Sequence, residues 1–327
     1  MICNLCPRNC NAVRTESQGG GVCGMPSTPI VAKAMLHRWE EPCLTGDNGA
    51  GAVFFTGCAL RCAYCQNRVI SRPNKAALAR SLSRSDNPAL ACSDNSALPC
   101  SDRSALARPD NPAQAWKAVN ASELRGIFRD LIERGAACLD LVTPSHFTPV
   151  VREALQGEQW PAPVVWNSGG YEKPETLRSL SGLVQVYLPD MKYALQGPAK
   201  TYSGAADYFQ WASAAIEEMF RQTGPYRMEN GKLLSGVLIR HLVLPGELEN
   251  TRQVIDWVSR TFRPGDVLFS LMRQYTPQPG AVGKLSRRVT GAEYKAALAY
   301  AQNCGVTDGY AQDAASAASD YTPDFES

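Results

Sequence analysis

Three cysteines, Cys58, Cys62 and Cys65, lie within eight residues in the segment GCALRCAYCQN, with the spacing C-x3-C-x2-C. Thiolates are the usual protein ligands of iron–sulfur clusters and of zinc. A closed metal site takes four protein ligands, and this segment offers no fourth cysteine. A [4Fe–4S] cluster held by three thiolates keeps one iron free to bind a substrate or cofactor. The spacing therefore favours an iron–sulfur cluster with one open iron, and a zinc site is the alternative.

The motif resembles the signature of the radical S-adenosylmethionine superfamily, C-x3-C-x-aromatic-C after the first strand of a barrel. Tyr64 supplies the aromatic residue, and the apolar run AVFFTG precedes the motif. The resemblance implies that the methionine amino and carboxylate groups of S-adenosylmethionine chelate the open iron, and it makes Tyr64 a candidate cofactor-binding residue. It also implies that an electron from the cluster releases a 5′-deoxyadenosyl radical, which abstracts hydrogen from a substrate.

Longer stretches are similar to a group of uncharacterised radical enzymes related to the pyruvate formate-lyase-activating enzymes. They are HRWEEPCLTGDNGAGAVFFTGCALRCAYCQNRVIS, VTPSHF, VWNSGGY, YLPDMKY and RHLVLPG. In that wider family the typical reaction makes a glycyl radical on a partner enzyme. The resemblance implies an activase-like oxidoreductase that acts on a protein substrate and uses a reductant such as flavodoxin or ferredoxin. Two alternatives stay open: a radical enzyme that modifies a peptide or small metabolite, and a non-enzymatic metal-thiolate protein for electron transfer or interaction.

The chain departs from the superfamily pattern after the second predicted strand. Most members carry Gly-Gly-Glu there, which receives the methionine amino group, whereas this chain reads LVTPSHFTP. Thr143 and Ser145 are candidate acceptors for the cofactor's amino group, and His146 is a further candidate. The alternative is that Pro144 bends the loop and the hydroxyls cap the next helix.

Polar residues also end the next three predicted strands. Asn167 precedes a Ser-Gly-Gly turn, whose glycines let backbone approach a ligand closely, and the resemblance directs this loop at the nucleotide's ribose or methionine part. Asp190 and Lys192 are expected to bind polar groups of the cofactor or to position a substrate, with a solvated ion pair as the alternative. Of Arg240 and His241 we favour Arg240 as cofactor-binding, because a lone buried His is often a core side chain.

A second group of cysteines, Cys3, Cys6, Cys10 and Cys23, has the spacing C-x2-C-x3-C-x12-C. Four thiolates in a short segment predict a metal-stabilised module. Zinc would be structural, whereas a second iron–sulfur cluster would relay electrons or anchor a substrate, and both metals accept four thiolates. The remaining single cysteines are expected to be buried small hydrophobic residues; they are Cys43, Cys138 and Cys304.

Six strand-then-helix units follow one another along the chain, with the strands AVFFTG, CLDLVTP, PVVWN, LVQVYLPD, GVLIRHLVLP and DVLFSL. This alternation predicts an α/β fold with a parallel sheet, two units short of a complete eight-fold barrel. We expect a partial (β/α)6 TIM-type barrel over residues 51–310, a cysteine-rich metal-binding head over 1–50 and a C-terminal tail over 311–327. The helix in ASELRGIFRDLIERG is expected to be capped by Ser122 and stopped by Gly135.

An insert over residues 73–117 interrupts the predicted barrel. The octapeptides SDNPALAC, SDNSALPC, SDRSALAR and PDNPAQAW repeat there with a period of eight. Such small and polar repeats bury too little apolar surface to offset the entropy of ordering, so the sequence predicts a disordered surface loop. Cys92 and Cys100 belong to the repeat and are not counted as ligands.

Composition narrows the partners and the compartment. The formal net charge is +2 over 327 residues, with 20% charged and 44% hydrophobic residues, so no electrostatic footprint for nucleic acid or an anionic membrane is evident. The chain has neither a signal peptide nor an apolar run of roughly 20 residues. We therefore expect a cytoplasmic protein with no nucleic-acid or membrane partner, where clustered cysteines bind metal more often than they form disulfides.

Overall fold

The computed structural model of the protein describes residues 2–73, 78, 81–82, 116–312 and 325. The octapeptide repeat and almost all of the C-terminal tail lie outside these residues. Both sequence-based expectations therefore stay predictions.

The described strands are β1 (Ile2–Cys3), β2 (Ala12–Val13), β3 (Ile30–His37), β4 (Ala50–Phe55), β5 (Lys117–Ala118), β6 (Leu139–Val142), β7 (Val164–Ser168), β8 (Val186–Pro189), β9 (Arg227–Glu229), β10 (Lys232–Leu242), β11 (Leu268–Met272) and β12 (Gly309–Ala311). The described α-helices are α1 (Pro42–Thr45), α2 (Arg68–Ser71), α3 (Ala121–Glu133), α4 (Thr148–Leu155), α5 (Pro174–Arg178), α6 (Gln196–Ser203), α7 (Tyr208–Thr223), α8 (Leu248–Thr261) and α9 (Gly291–Asn303). Short 3-10 turns cover Ser145–Phe147 and Gly283–Ser286.

A mostly parallel sheet of ten strands is the centre of this mixed α/β fold. Its order is β12-β11-β10-β8-β7-β6-β4-β3-β5, with β9 paired to β10. Neighbours from β4 to β12 along this order run parallel, whereas β3 is antiparallel to β4 and to β5, and β9 is antiparallel to β10. The parallel strands follow one another in chain order. Because they run in the same direction, all their carboxyl ends lie at the same edge of the sheet.

All six predicted strands are confirmed, as β4, β6, β7, β8, β10 and β11. Four further described strands of the main sheet were not predicted: β3, which lies inside the range assigned to the head, and the short strands β5, β9 and β12. The predicted cap of α3 was wrong. Asn120, and not Ser122, is the N-cap, because its side chain accepts from the Glu123 N–H while the Glu123 carboxylate accepts from the Asn120 N–H. Gly135 follows the end of this helix with a positive φ of 85°.

Side chains alternate between the two faces of the parallel strands. One face carries large apolar residues packed against the helices, among them Trp166, Tyr187 and Ile239. The other face carries a second apolar cluster that includes Val165, Leu188 and Leu238. Two residues further along each of these three strands, on this second face, stand the polar residues Asn167, Asp190 and Arg240. The pleat therefore brings these three polar side chains together at the carboxyl edge.

None of the described helices is both long enough and apolar enough to span a membrane.

Candidate functional site

A cavity of about 230 Å³ lies at the carboxyl edge of the parallel strands and is called the site cavity below. It is lined by residues from the ends of β4, β6, β7, β8, β10 and β11, as expected for the functional face of a parallel α/β sheet. Nine of the sequence-predicted residues line it: Cys58, Cys62, Tyr64, Cys65, Thr143, Asn167, Asp190, Lys192 and Arg240.

Each of the three motif sulfurs has a polar group next to it, and two of the sulfurs accept a hydrogen bond. The Cys58 Sγ atom accepts a hydrogen bond from the backbone N–H two residues later over 3.4 Å, and the Cys62 Sγ atom accepts one from the Ser203 hydroxyl over 3.0 Å. The Ser71 hydroxyl lies 3.4 Å from the Cys65 Sγ atom. Such donors stabilise thiolates and sulfur ligands of metal clusters.

Burial governs the ionisation of these thiols. It raises the pKa of Cys58 to about 12, and the nearby Cys62 and Cys65 raise it further. Burial also raises the pKa of Cys62, while the Lys192 ammonium opposes that rise. The free thiols of Cys58 and Cys62 are therefore protonated at neutral pH, and a cationic centre between them would hold them as thiolates.

Arg240, which also lines the site cavity, joins three polar side chains. Its Nε atom donates to Asp190 over 3.1 Å, and its two terminal nitrogens donate to Glu40 over 3.1 Å and to Asn167 over 2.7 Å. The Lys192 ammonium donates to Asp190 over 2.5 Å. Burial by itself would raise the pKa of Asp190, but Lys192 and Arg240 hold that pKa below its usual range. Asp190 and Lys192 thus form a buried ion pair, not a solvated one.

Three acidic residues of this wall were missed by the sequence analysis: Glu40, Glu41 and Asp140. The Asn167 amide donates to Glu40 over 3.2 Å and to Asp140 over 3.3 Å. Asp140 is fully buried and its Oδ1 atom accepts no hydrogen bond within the described residues. Burial, and then Glu40, raise the pKa of Asp140 well above its usual range. A carboxylate inside the apolar strand LDLV was the signal that could have identified Asp140.

The loop after β6 divides the residues expected to replace Gly-Gly-Glu. Thr143 lines the site cavity and has a positive φ of 60°, which is unfavourable for a β-branched residue. Ser145 does not line it, because its hydroxyl donates to Glu172 over 2.5 Å. The buried ring of His146 lies 2.7 Å (Nε2) from the carbonyl oxygen of Thr56, and burial lowers its pKa to about 3. Only Thr143 therefore faces the cavity.

Glu172, which sequence analysis also missed, fixes the Ser-Gly-Gly turn after β7. This buried carboxylate accepts hydrogen bonds from the Ser168 hydroxyl over 2.5 Å and from the Trp166 indole over 2.9 Å, besides that of Ser145. Gly170, with a φ of 75°, packs so closely on the carbonyl oxygen of Asp190 that a Cβ atom would clash. Gly170 is thus required by backbone packing, whereas Gly169 lines the cavity.

Two further sequence-predicted residues have mainly structural contacts. The Tyr64 ring packs edge-to-face with Tyr193 and Tyr275 at centroid distances of 6.5 and 6.3 Å. His241 is buried on the helix side of β10, with Nδ1 2.6 Å from the Met191 carbonyl oxygen and Nε2 3.0 Å from the Thr251 hydroxyl. Burial lowers the pKa of His241 to about 4, so it is a neutral core side chain.

The four N-terminal cysteines line a second, much smaller cavity of about 10 Å³, called the N-terminal cavity below, together with His146. Burial raises the pKa of Cys6 to about 11, and the other three thiols raise it further. In the described part of the chain, no group of three or more His, Cys, Asp or Glu side chains is placed to hold a metal ion. This applies to both cysteine groups.

The other predicted cysteines differ in exposure. Cys43 and Cys138 are buried in the second apolar cluster, as expected, whereas Cys304 is half-buried at the end of α9.

Comparison with known proteins identifies a distant relative but assigns no activity to the chain. No family model matches the chain. The chain is 25% identical over 305 residues to the Uncharacterized protein MJ0674 of Methanocaldococcus jannaschii, over 92% of this chain and 74% of that protein. The relative's name assigns no function.

Proposed function

We propose that the protein is a radical S-adenosylmethionine enzyme, an activase-like oxidoreductase, in which Cys58, Cys62 and Cys65 hold a [4Fe–4S] cluster. One observation supports this above all others. The three thiols line the same cavity as the largely buried cations Lys192 and Arg240.

The number of thiols suits a cluster better than a single ion. A structural zinc ion takes four protein ligands, and this motif supplies three cysteines. A four-iron cluster would take one thiolate at each of three irons and leave the fourth iron open. The hydrogen bonds to the sulfurs of Cys58 and Cys62 suit such a cluster, because hydrogen bonds to sulfur stabilise its added electron.

When bound, the cluster and S-adenosylmethionine supply the reducing electron and the 5′-deoxyadenosyl radical that takes hydrogen from a substrate. The chain's own residues would bind the cofactor and orient it. Lys192 and Arg240 offer donors for a carboxylate, since each has more N–H groups than its present partners use. Asp190, Asn167 and the Thr143 hydroxyl offer acceptors for an amino group or ribose hydroxyls. The apolar residues around them exclude water.

We also propose the finer architecture that this function needs. The consecutive parallel strands β4 to β11 would form a partial (β/α)6 barrel, and its open side would admit a protein loop that carries a glycine. The four N-terminal cysteines would hold zinc or a second iron–sulfur cluster, and the N-terminal cavity of about 10 Å³ favours a single ion. A flavodoxin or ferredoxin would supply electrons in the cytoplasm.

Anaerobic reconstitution tests the proposal directly. We expect protein with absorbance near about 400 nm, where zinc thiolates are silent, and production of 5′-deoxyadenosine from S-adenosylmethionine and a reductant. Cys58→Ala, Cys62→Ala and Cys65→Ala should each abolish that product. Cys304→Ala is the matched control, because this cysteine lies outside both cysteine groups. The control variant should still produce 5′-deoxyadenosine. An unchanged yield of 5′-deoxyadenosine in all three motif variants would disprove the proposed enzymatic activity.

A second measurement separates the activase from the alternative substrates. Anaerobic affinity purification should recover a large partner enzyme, and incubation with it should give the electron paramagnetic resonance doublet of a glycyl radical. Turnover of a peptide or small metabolite without any such partner would favour the alternative instead.

A further inference from the structure

The N-terminal segment 2–29 contacts the loop that carries the three motif cysteines, residues 57–67, called the motif loop below. The contact is made by Arg8, which stands between Cys6 and Cys10 in the sequence and lines the N-terminal cavity. Its side chain leaves the segment and reaches the motif loop and the end of α6. A residue of one cysteine group thus reaches the loop of the other.

The Arg8 guanidinium donates to three backbone carbonyl oxygens. Nε donates to Ala59 over 2.8 Å, Nη1 to Gly204 over 2.6 Å and Nη2 to Ser203 over 3.2 Å. Its Cζ atom also lies 5.2 Å from the centroid of the Tyr171 ring. A planar fork of donors suits three fixed acceptors, whereas a lysine ammonium is a single point charge on a mobile stem.

The carbonyls that Arg8 binds belong to the two backbone segments that fix the second motif cysteine. Ala59 lies between Cys58 and Cys62. The N–H of Ala63 donates to the Tyr202 carbonyl oxygen over 2.7 Å, so the motif loop is bonded to the end of α6. From that end of α6, Ser203 donates its hydroxyl to the Cys62 Sγ atom. Arg8 therefore holds together the ligand loop and the helix end that bonds its sulfur.

The segment around Arg8 has little structure of its own to hold this side chain. Its strands β1 and β2 have two residues each. Hydrogen bonds from Arg14 to the His146 carbonyl oxygen and from the Thr176 hydroxyl to the Leu5 carbonyl oxygen already tie the segment to the rest of the chain. Metal bound by the four cysteines would add to this order next to Arg8, which stands between two of them. Order in the segment fixes Arg8, and Arg8 fixes the motif loop.

We propose that Arg8 is a positioning residue that makes cluster binding at Cys58, Cys62 and Cys65 depend on metal bound by the N-terminal cysteines. This inference rests on the proposed function. It adds that the two cysteine groups act as a coupled pair, although no atom of the segment is a ligand of the cluster.

A double-mutant cycle with Arg8→Ala and Cys6→Ser tests the coupling, with Arg134→Ala as control, since Arg134 bonds only Asp130 on α3. The measurements are zinc and iron per chain and the rate of cluster loss to a chelator. Arg8→Ala should keep the N-terminal metal and lose the cluster about tenfold faster, the effect of one to two lost hydrogen bonds. Cys6→Ser should lose the N-terminal metal and should also lose the cluster about tenfold faster. The double variant should lose the cluster little faster than either single variant. Arg8→Lys should fail to restore the wild-type rate.

Amide hydrogen exchange gives a readout that needs no cluster. Loss of Arg8 should speed exchange at Ala63 about tenfold in protein loaded with zinc alone. Unchanged exchange and unchanged cluster loss in Arg8→Ala would overturn the coupling, whatever the motif cysteines bind. Additive effects in the double variant would also overturn it. Failure of the proposed function has a different signature, namely the same iron content per chain in the wild type and in a variant that lacks all three motif cysteines.

Discussion

The hydroxyl of Ser203 donates a hydrogen bond to the Cys62 Sγ atom over 3.0 Å, although the two residues are 141 positions apart. Ser203 is fully buried at the end of α6, and the Tyr193 hydroxyl lies 2.7 Å from the same oxygen. A remote helix end therefore supplies the polar hydrogen beside the second motif sulfur.

Replacing this donor should change the reduction potential of a bound cluster. We expect Ser203→Ala to make the potential more negative, because a hydrogen bond to sulfur stabilises the reduced, more negative state. A spectroscopic redox titration measures it. Tyr193→Phe is the control, since it leaves the Ser203 donor in place, and it should shift the potential less. Equal potentials for wild type and Ser203→Ala would contradict the prediction.

Arg240→Gln should destabilise the fold strongly. The guanidinium joins Glu40 and Asp190, all three with under a fifth of the side chain exposed, and its loss leaves two buried carboxylates with fewer partners. We expect a loss of about 3 to 5 kcal/mol in the free energy of unfolding, measured with urea. Arg134→Gln, which breaks an exposed pair with Asp130, should cost about 0.5 kcal/mol or less. Similar small losses in both variants would refute the structural role of Arg240.

Glu41 should make the protein less stable as pH rises. Burial raises its pKa from 4.5 to about 7, so the folded state keeps a proton that the unfolded state releases. The stabilisation is complete below pH 4.5 and is lost as pH rises to 7, on the order of 3 kcal/mol. Glu41→Gln should remove this dependence. Urea unfolding at pH 5 and pH 8 measures it, and an unchanged pH slope in the variant would count against a buried, protonated Glu41.

His241 should act in the opposite sense. Burial lowers its pKa from 6.5 to about 4, so the unfolded state binds a proton that the folded state does not. Its stabilisation is complete above pH 6.5 and is lost as pH falls to 4, again on the order of 3 kcal/mol. His241→Gln should flatten the fall between pH 6.5 and 4 in thermal or urea unfolding. A variant that loses as much stability in acid as the wild type would show that other groups, such as His146, cause most of that loss.

The sequence pattern predicted which strands and helices exist better than it predicted the residues where they begin and end. Alternating apolar strands and amphipathic helices indicated the six parallel strands, because each such strand is buried on both faces and reads as a continuous apolar run. The cap of α3 was wrong by two positions, since Asn120 and Ser122 both suit an N-cap and only the Glu123 capping box decides between them. β5, β9 and β12 were missed because strands of two or three residues show no apolar pattern, and β3 was missed because it lies in the segment assigned to the cysteine-rich head.

What the sequence determined by itself is the local chemistry: the cysteine spacing of the two groups, and polar residues such as Asn167, Asp190 and Arg240 at strand ends. Tertiary structure alone decided which of them meet. It set Thr143 in the cavity and bonded Ser145 to Glu172. It also brought Glu40 to Arg240, Asp140 to Asn167 and Arg8 to the motif loop. The reason is that these contacts join residues far apart in the chain, whose approach is fixed by strand order and pleat and leaves no local periodicity to read.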